Sequence, residues 1–138
     1  MKIQNLEPPR EFQAGSVRIR HCANIELAPD EQVTFVTPEG REYDVVRKDW
    51  GFYATPSLNA RLRKQGFRSA LVCNPEGKIF LRLVEKDRAD AFRAYVEDQG
   101  ERILCWLDSD GDVLSLLRAL GIRPPPGFPA KNQQEDIG

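Results

Sequence analysis

Twice in this chain a Pro-Glu-Gly turn lies between two apolar runs, and each pair of runs is followed by a helical pattern. Pro38-Glu39-Gly40 separates Val33 and Phe35 from Tyr43 and Val45, all flanked by polar neighbours. Asn74-Pro75-Glu76-Gly77 separates Ser69–Cys73 from Ile79–Val84. Proline presets the first turn position and glycine tolerates positive φ near its end, so each stretch predicts a β-hairpin.

The first helical pattern covers 56–65, with Leu58 and Leu62 spaced by four, Thr55 as N-cap, Pro56 at the first helical position and Gly66 as the stop. The second covers 88–99, with Asp87 as N-cap, Phe92 and Val96 on one face and Gly100 at the end. A strand at Arg102–Leu107 and a helix at Val113–Leu120 follow. Val17, Ile19, Ile25 and Leu27 add strand character before the first hairpin.

The fold class expected is α+β. A mostly antiparallel sheet of about five to six strands, two ββα units plus a strand, carries helices packed on it. The two units match beyond their turns only in hydrophobic pattern, so no internal repeat follows. Residues 1–15, with Pro8-Pro9, read as a loosely ordered lead-in, and 16–121 as a single domain. Residues 122–138 read as a flexible tail, because Pro124-Pro125-Pro126 and Pro129 forbid helix and central strand.

A chain of 138 residues that is 41% hydrophobic and 30% charged has enough apolar side chains for a core. Its net charge of −1 supplies no global attraction to nucleic acid or anionic membrane, so nucleic acid is not the expected partner. No run approaches the ~18 apolar residues of a membrane span, and no signal-peptide pattern opens the chain. Cys22, Cys73 and Cys105 are odd in number and far apart, which fits a reducing, cytoplasmic compartment better than a disulfide framework.

Several chemistries are excluded. His21 is the sole histidine and the cysteines form no close pair, so no metal site and no cofactor is expected. The G-x-S-x-G, G-x-x-x-x-G-K-[ST] and G-x-G-x-x-G motifs are absent, and no catalytic residue is assigned. The stretch Ile103-Leu104-Cys105-Trp106-Leu107-Asp108-Ser109-Asp110-Gly111-Asp112 resembles the first motif of haloacid-dehalogenase-like phosphatases. That resemblance covers about ten residues, and only 27 follow Gly111, too few for the family's parallel sheet and later motifs. Nor does an EF-hand fit, since Gly111 follows Asp108 too early and no glutamate closes the loop. These carboxylates read as caps of the last helix.

One surface remains. Between Arg47 and Arg68 six basic residues face a single acid, Asp49, and Trp50, Phe52, Tyr53 and Phe67 form the densest aromatic cluster. The loop entering the first helix offers Trp50 and Tyr53 for stacking. Thr55, Ser57 and Asn59 offer hydrogen bonds at a helix N-terminus, with Arg61 behind them. The segment from Trp50 to Leu62 resembles stretches of short bacterial proteins, some from surface-sugar gene neighbourhoods, and the resemblance carries no defined activity. Residues 97–112 are the acidic counterpart, with six acids against Arg102.

Two functions are expected from these features. The first is a non-catalytic binding or accessory module acting through a protein partner or self-association. The second is a site for an anionic small molecule, phosphorylated or a nucleotide sugar, at Trp50, Tyr53, Thr55, Ser57, Asn59 and Arg61.

Overall fold

Leu62, Ala70 and Val72 are fully buried, and Phe67, Val84 and Val96 nearly so; these six are the buried hydrophobic side chains among the described residues. They come from two of the predicted elements and their flanks, the second hairpin and the helix after it, together with the short helix before them. The computed structural model describes residues 1–128.

The chain is α+β, with eight strands and three α-helices among the described residues. The strands form three small sheets where one sheet of five to six was expected. In the first, β1 (Lys2–Ala14) pairs antiparallel with β2 (Val17–Glu26). In the second, the order is β3 (Gln32–Val36), β4 (Glu42–Lys48), β5 (Gly51–Tyr53). In the third, β6 (Phe67–Cys73) lies between β7 (Ile79–Glu85) and β8 (Arg102–Trp106), antiparallel to both. The separation has a local cause: tight turns at Gly15-Ser16, Pro38-Glu39-Gly40, Asp49-Trp50 and Asn74–Gly77 pair the first seven strands with sequence neighbours, and only β8 joins its sheet across an intervening helix.

Contacts divide the chain into two compact units. The first holds Met1–Phe35 and Asp44–Ala54; the second holds Val36–Tyr43 and the residues from Thr55 onward. The span 16–121, expected as a single domain, contributes to both units. The loose lead-in expected over 1–15 is instead the strand β1, whose prolines fall where the register shifts between Asn5 and Arg10. A shift of this kind leaves residues outside the ladder, which is where proline's missing N–H does no harm.

The six buried hydrophobic side chains all belong to the second unit. Its helix α2 (Ala89–Asp98) follows a 3-10 turn at Lys86–Arg88, and α3 (Asp110–Ala119) follows β8. Phe92 on α2 meets Trp106 on β8 edge to face, with ring centroids 5.8 Å apart. The α2 helix stops as expected at Gly100, where Gly100 N–H and Glu101 N–H donate back to the carbonyls of Glu97 and Val96. Its cap differs: Asp87 sits in the 3-10 turn and binds Arg41 at 2.9 Å.

The helix expected over 56–65 is only α1 (Arg61–Lys64). Ser57 accounts for the loss, since its hydroxyl accepts the Arg61 N–H and its carbonyl accepts the Leu62 N–H, closing a turn in place of helical bonds. The α1 segment ends at Gly66, whose φ of +89° suits glycine, and an added Cβ there would meet Arg41 Nε at 2.6 Å. That close approach matters because Arg41 bridges Glu85 and Asp87, both at 2.9 Å. Of the expected tail, 122–128 carries no helix or strand, and 129–138 lie outside the described residues.

Leu62→Ala should destabilise the second unit by about 2–5 kcal/mol in urea unfolding, the range for removing a buried leucine. Ile79→Ala, on a side chain 54% exposed in the same unit, should change stability by less than about 0.5 kcal/mol.

Candidate functional site

Within the first unit, β4 and β5 form a hairpin closed by Asp49 and Trp50, with Val46 opposite Tyr53, Arg47 opposite Phe52 and Lys48 opposite Gly51. Gly51, the first residue after the turn, has φ of +148°, an angle that glycine tolerates. Trp50, Phe52 and Tyr53 are 69%, 55% and 48% exposed. Three large aromatics at one hairpin tip are thus left in solvent.

The base of this tip is held firmly. Arg47 N–H donates to the Glu31 carbonyl at 3.0 Å, and Asp30 N–H donates to the Arg47 carbonyl at 2.7 Å. The Arg47 guanidinium donates to the Gly51 carbonyl at 2.8 Å and lies 5.4 Å from the centre of the Phe52 ring, a cation–π distance. Lys48 pairs with Asp30. Glu31 takes the N-terminal ammonium at 2.9 Å, and that bond, then one from the Ala28 N–H, holds its carboxyl below the ordinary range. The chemistry offered is a rigidly based apolar tip with one guanidinium at its side.

The six expected site residues divide between the units. Trp50 and Tyr53 are on the tip, whereas Thr55, Ser57, Asn59 and Arg61 belong to the second unit. Ser57 and Arg61 are brought together, but through the Ser57 hydroxyl and the Arg61 backbone N–H at 2.9 Å. The Arg61 guanidinium binds Glu42 at 3.2 Å. The four-residue α1 presents no helix N-terminus of useful length, and Ala60, at its cap, contributes no side-chain bond. Phe52 and Arg47, named in the aromatic and basic clusters but not among the six site residues, also belong to the tip. Their positions on either side of the turn carried the signal, since the register places them opposite each other. Phe67, counted in the aromatic cluster, is 6% exposed and part of the core.

The acidic segment proves structural in a different way from that expected. Ser109, not a carboxylate, caps α3 by accepting the Asp112 N–H. Asp108 is buried and ties β8 to β6, accepting Ser69 N–H at 3.1 Å and Arg68 Nε at 3.2 Å. The Arg68 guanidinium also lies 3.9 Å from the centre of the Trp106 ring. Asp112 accepts the Trp106 N–H at 3.1 Å, covering part of the outer edge of β8.

A cavity of ≈ 330 Å³ lies beside them, lined by Leu104, Cys105, Asp112, Ser115 and Leu116. Burial, then the Asp112 charge, pushes the Cys105 thiol above its ordinary value, so it stays protonated at neutral pH and lacks the thiolate a nucleophile needs. Among the described residues no group of three or more His, Cys, Asp or Glu could hold a metal ion, and no helix is long and apolar enough to cross a membrane.

No protein-family model, curated protein or solved structure matches the chain.

The ordering of thiol reactivity follows from these environments. Iodoacetamide at pH 8 should alkylate exposed Cys22 well before Cys105, as read by mass spectrometry of timed samples. Asp112→Asn keeps an oxygen for the Trp106 N–H but removes the charge, so it should lower the Cys105 pKa and speed its alkylation.

Proposed function

We propose that the chain is a non-catalytic binding or accessory module that acts through a protein partner, with the β4–β5 tip as the recognition element. The observation carrying this reading is the exposure of Trp50, Phe52 and Tyr53 together at 48–69% beside the guanidinium of Arg47. Tryptophan, tyrosine and arginine are the residues that dominate binding energy at protein interfaces, and they do so when a partner removes them from water. Short, firmly anchored turns also lose little conformational entropy on binding. The three unpaired cysteines fit action in a reducing compartment, which for a bacterial protein is the cytoplasm.

The second reading, a phosphorylated or nucleotide-sugar ligand, would use the exposed faces of Trp50 and Tyr53 for stacking. Its link to surface-sugar biosynthesis is the resemblance of the Trp50–Leu62 segment alone. It has less support than the first, because Ser57 and Arg61, its expected anion contacts, already bond within their own unit.

Affinity capture with the full chain as bait separates the readings. Wild type should retain a protein that Trp50→Ala loses at least tenfold, a hot-spot loss of about 1.4 kcal/mol or more. Because Trp50 is 69% exposed, the variant should melt at the wild-type temperature. Identical captured proteins for both baits would remove the reading. A saturable rise in melting temperature with UDP-sugars, abolished in Trp50→Ala, would replace it with the small-molecule one.

A further inference from the structure

The β1–β2 ribbon of the first unit has two unlike faces. Along β2 the odd-numbered residues Val17, Ile19, Ala23 and Ile25 share one face with His21, and the even-numbered Arg18, Arg20, Asn24 and Glu26 share the other with Cys22. The register places Phe12 opposite Ile19 and Ile3 opposite Ile25 on the apolar face. Yet Ile3, Phe12, Val17, Ile19 and Ile25 remain 40–54% exposed. An isolated two-stranded ribbon is marginal in water, and three or more strands are the usual minimum for a stable sheet.

Its two outer edges differ. The edge of β1 is interrupted by Pro8-Pro9 and by the register shift between Asn5 and Arg10, whereas β2 runs for 10 residues with neither proline nor glycine. Among the described residues, no strand other than β1 pairs with β2. Ala14 and Val17 flank a two-residue turn and so form a hydrogen-bonded pair. By alternation the even-numbered residues of β2 direct their N–H and C=O groups outward.

We infer that β2 pairs antiparallel with β2 of a second copy of this chain about a two-fold axis at Cys22, making a four-stranded sheet. This inference is independent of the reading of the β4–β5 tip. The register is chosen by charge and shape. With Cys22 on the axis, Arg18 lies opposite the partner's Glu26, and symmetry makes that pair twice. On the apolar face Phe12, Ile19, the partner's Ile25 and the partner's Ile3 form one continuous row across four strands, again twice. A register with His21 on the axis sets Arg18 against the partner's Asn24 and forms neither the charge pairs nor these rows. The outward groups supply about ten backbone hydrogen bonds between the copies. The interface is isologous, as closed dimers require.

Sedimentation of the full chain over a concentration series should show a monomer–dimer equilibrium. Arg18→Glu or Glu26→Arg sets like charges opposite each other at both symmetric positions, and each should weaken the dimer roughly tenfold while circular dichroism stays unchanged. Mixing the two variants makes both cross-pairs attractive again, while the reversed contacts with Glu11 and Lys2 inside each ribbon stay unfavourable, so the mixture should form a heterodimer at a clearly lower concentration than either variant alone. A hydrogen-bonded strand pair holds its Cα atoms about 5.5 Å apart, within disulfide range. In a Cys73→Ser/Cys105→Ser background, diamide, which takes the two electrons and two protons of a thiol pair, should therefore link Cys22 to the partner's Cys22. A monomer at all concentrations would overturn the inference. So would a dimer indifferent to both charge reversals, or single-variant losses that mixing does not repair.

Discussion

Burial of apolar side chains organises one part of this chain and leaves the other to hydrogen-bonded strand pairing. In the second unit β6 is the pivot. Phe67, Ala70 and Val72 are buried along it, with Leu62 before it and Val84 and Val96 after it in sequence. The ladder to β7 runs the length of β6, the ladder to β8 covers Ala70–Cys73, and beyond it Ser69 N–H is taken up by Asp108, so much of the cost of burying these peptide groups is offset. The polar groups that enter this interior are largely committed: Asp108 closes on Ser69 N–H and Arg68, and Arg82 meets Glu101 at 2.7 Å. Such pairs hold neighbouring strands in one register more than they add stability, because desolvation offsets much of their attraction.

The first unit contains no buried hydrophobic side chain. Its one buried residue is Asp44, which accepts the Thr34 hydroxyl at 2.8 Å. What remains is local: tight turns, strand ladders, and charged residues such as Glu31 and Arg47 bonded around the chain's start and the Ala28–Glu31 turn. Apolar side chains that could have built a core, Ile19 and Ile25 on the ribbon and Trp50 and Phe52 on the tip, face water to 40% or more. Exposed apolar surface concentrated on well-formed strands is characteristic of binding surfaces. The second unit also leaves apolar side chains in solvent, Ile79, Leu120 and Ile122 among them, but it alone has buried hydrophobic side chains.

The sequence was most legible where two local signals agreed. Both Pro-Glu-Gly hairpins, α2 and β8 lie close to where alternation, turn chemistry and helical spacing put them. Legibility failed where a single residue type stood for a conformation. Pro8-Pro9 suggested a loop, yet a register shift accommodates the prolines within β1. Thr55-Pro56-Ser57 suggested a helix start, yet Ser57 satisfies the backbone in a turn and leaves α1 four residues long. The candidate site followed the same rule. Its aromatic and anion-binding halves both read as parts of one loop entering a helix; the structure puts Trp50 and Tyr53 on a strand hairpin instead, and the helix start expected for the anion-binding half does not form. Asp108 was misjudged because capping is read from nearby sequence, while its partners Arg68 and Ser69 are about forty residues away.

The edges of the ribbon extend this argument from fold to association. An unpaired strand edge is a hazard that proteins blunt with proline, irregular register or charge, and β1 carries the first two. On β2 the only such device is charge, and its arrangement is not that of a guard. A guarding edge carries one sign, so that two copies repel. Here Arg18 and Arg20 lie toward one end and Glu26 at the other, so an antiparallel second copy sets Arg18 against the partner's Glu26 at each end, with Arg20 opposite the partner's neutral Asn24 and Cys22 at the axis. The same reversal brings Ile19 to the partner's Ile25, joining two half-exposed apolar pairs that neither copy can cover by itself. Protection on one edge and self-complementarity on the other are what a strand that pairs with itself requires, and what a merely solvated hairpin does not.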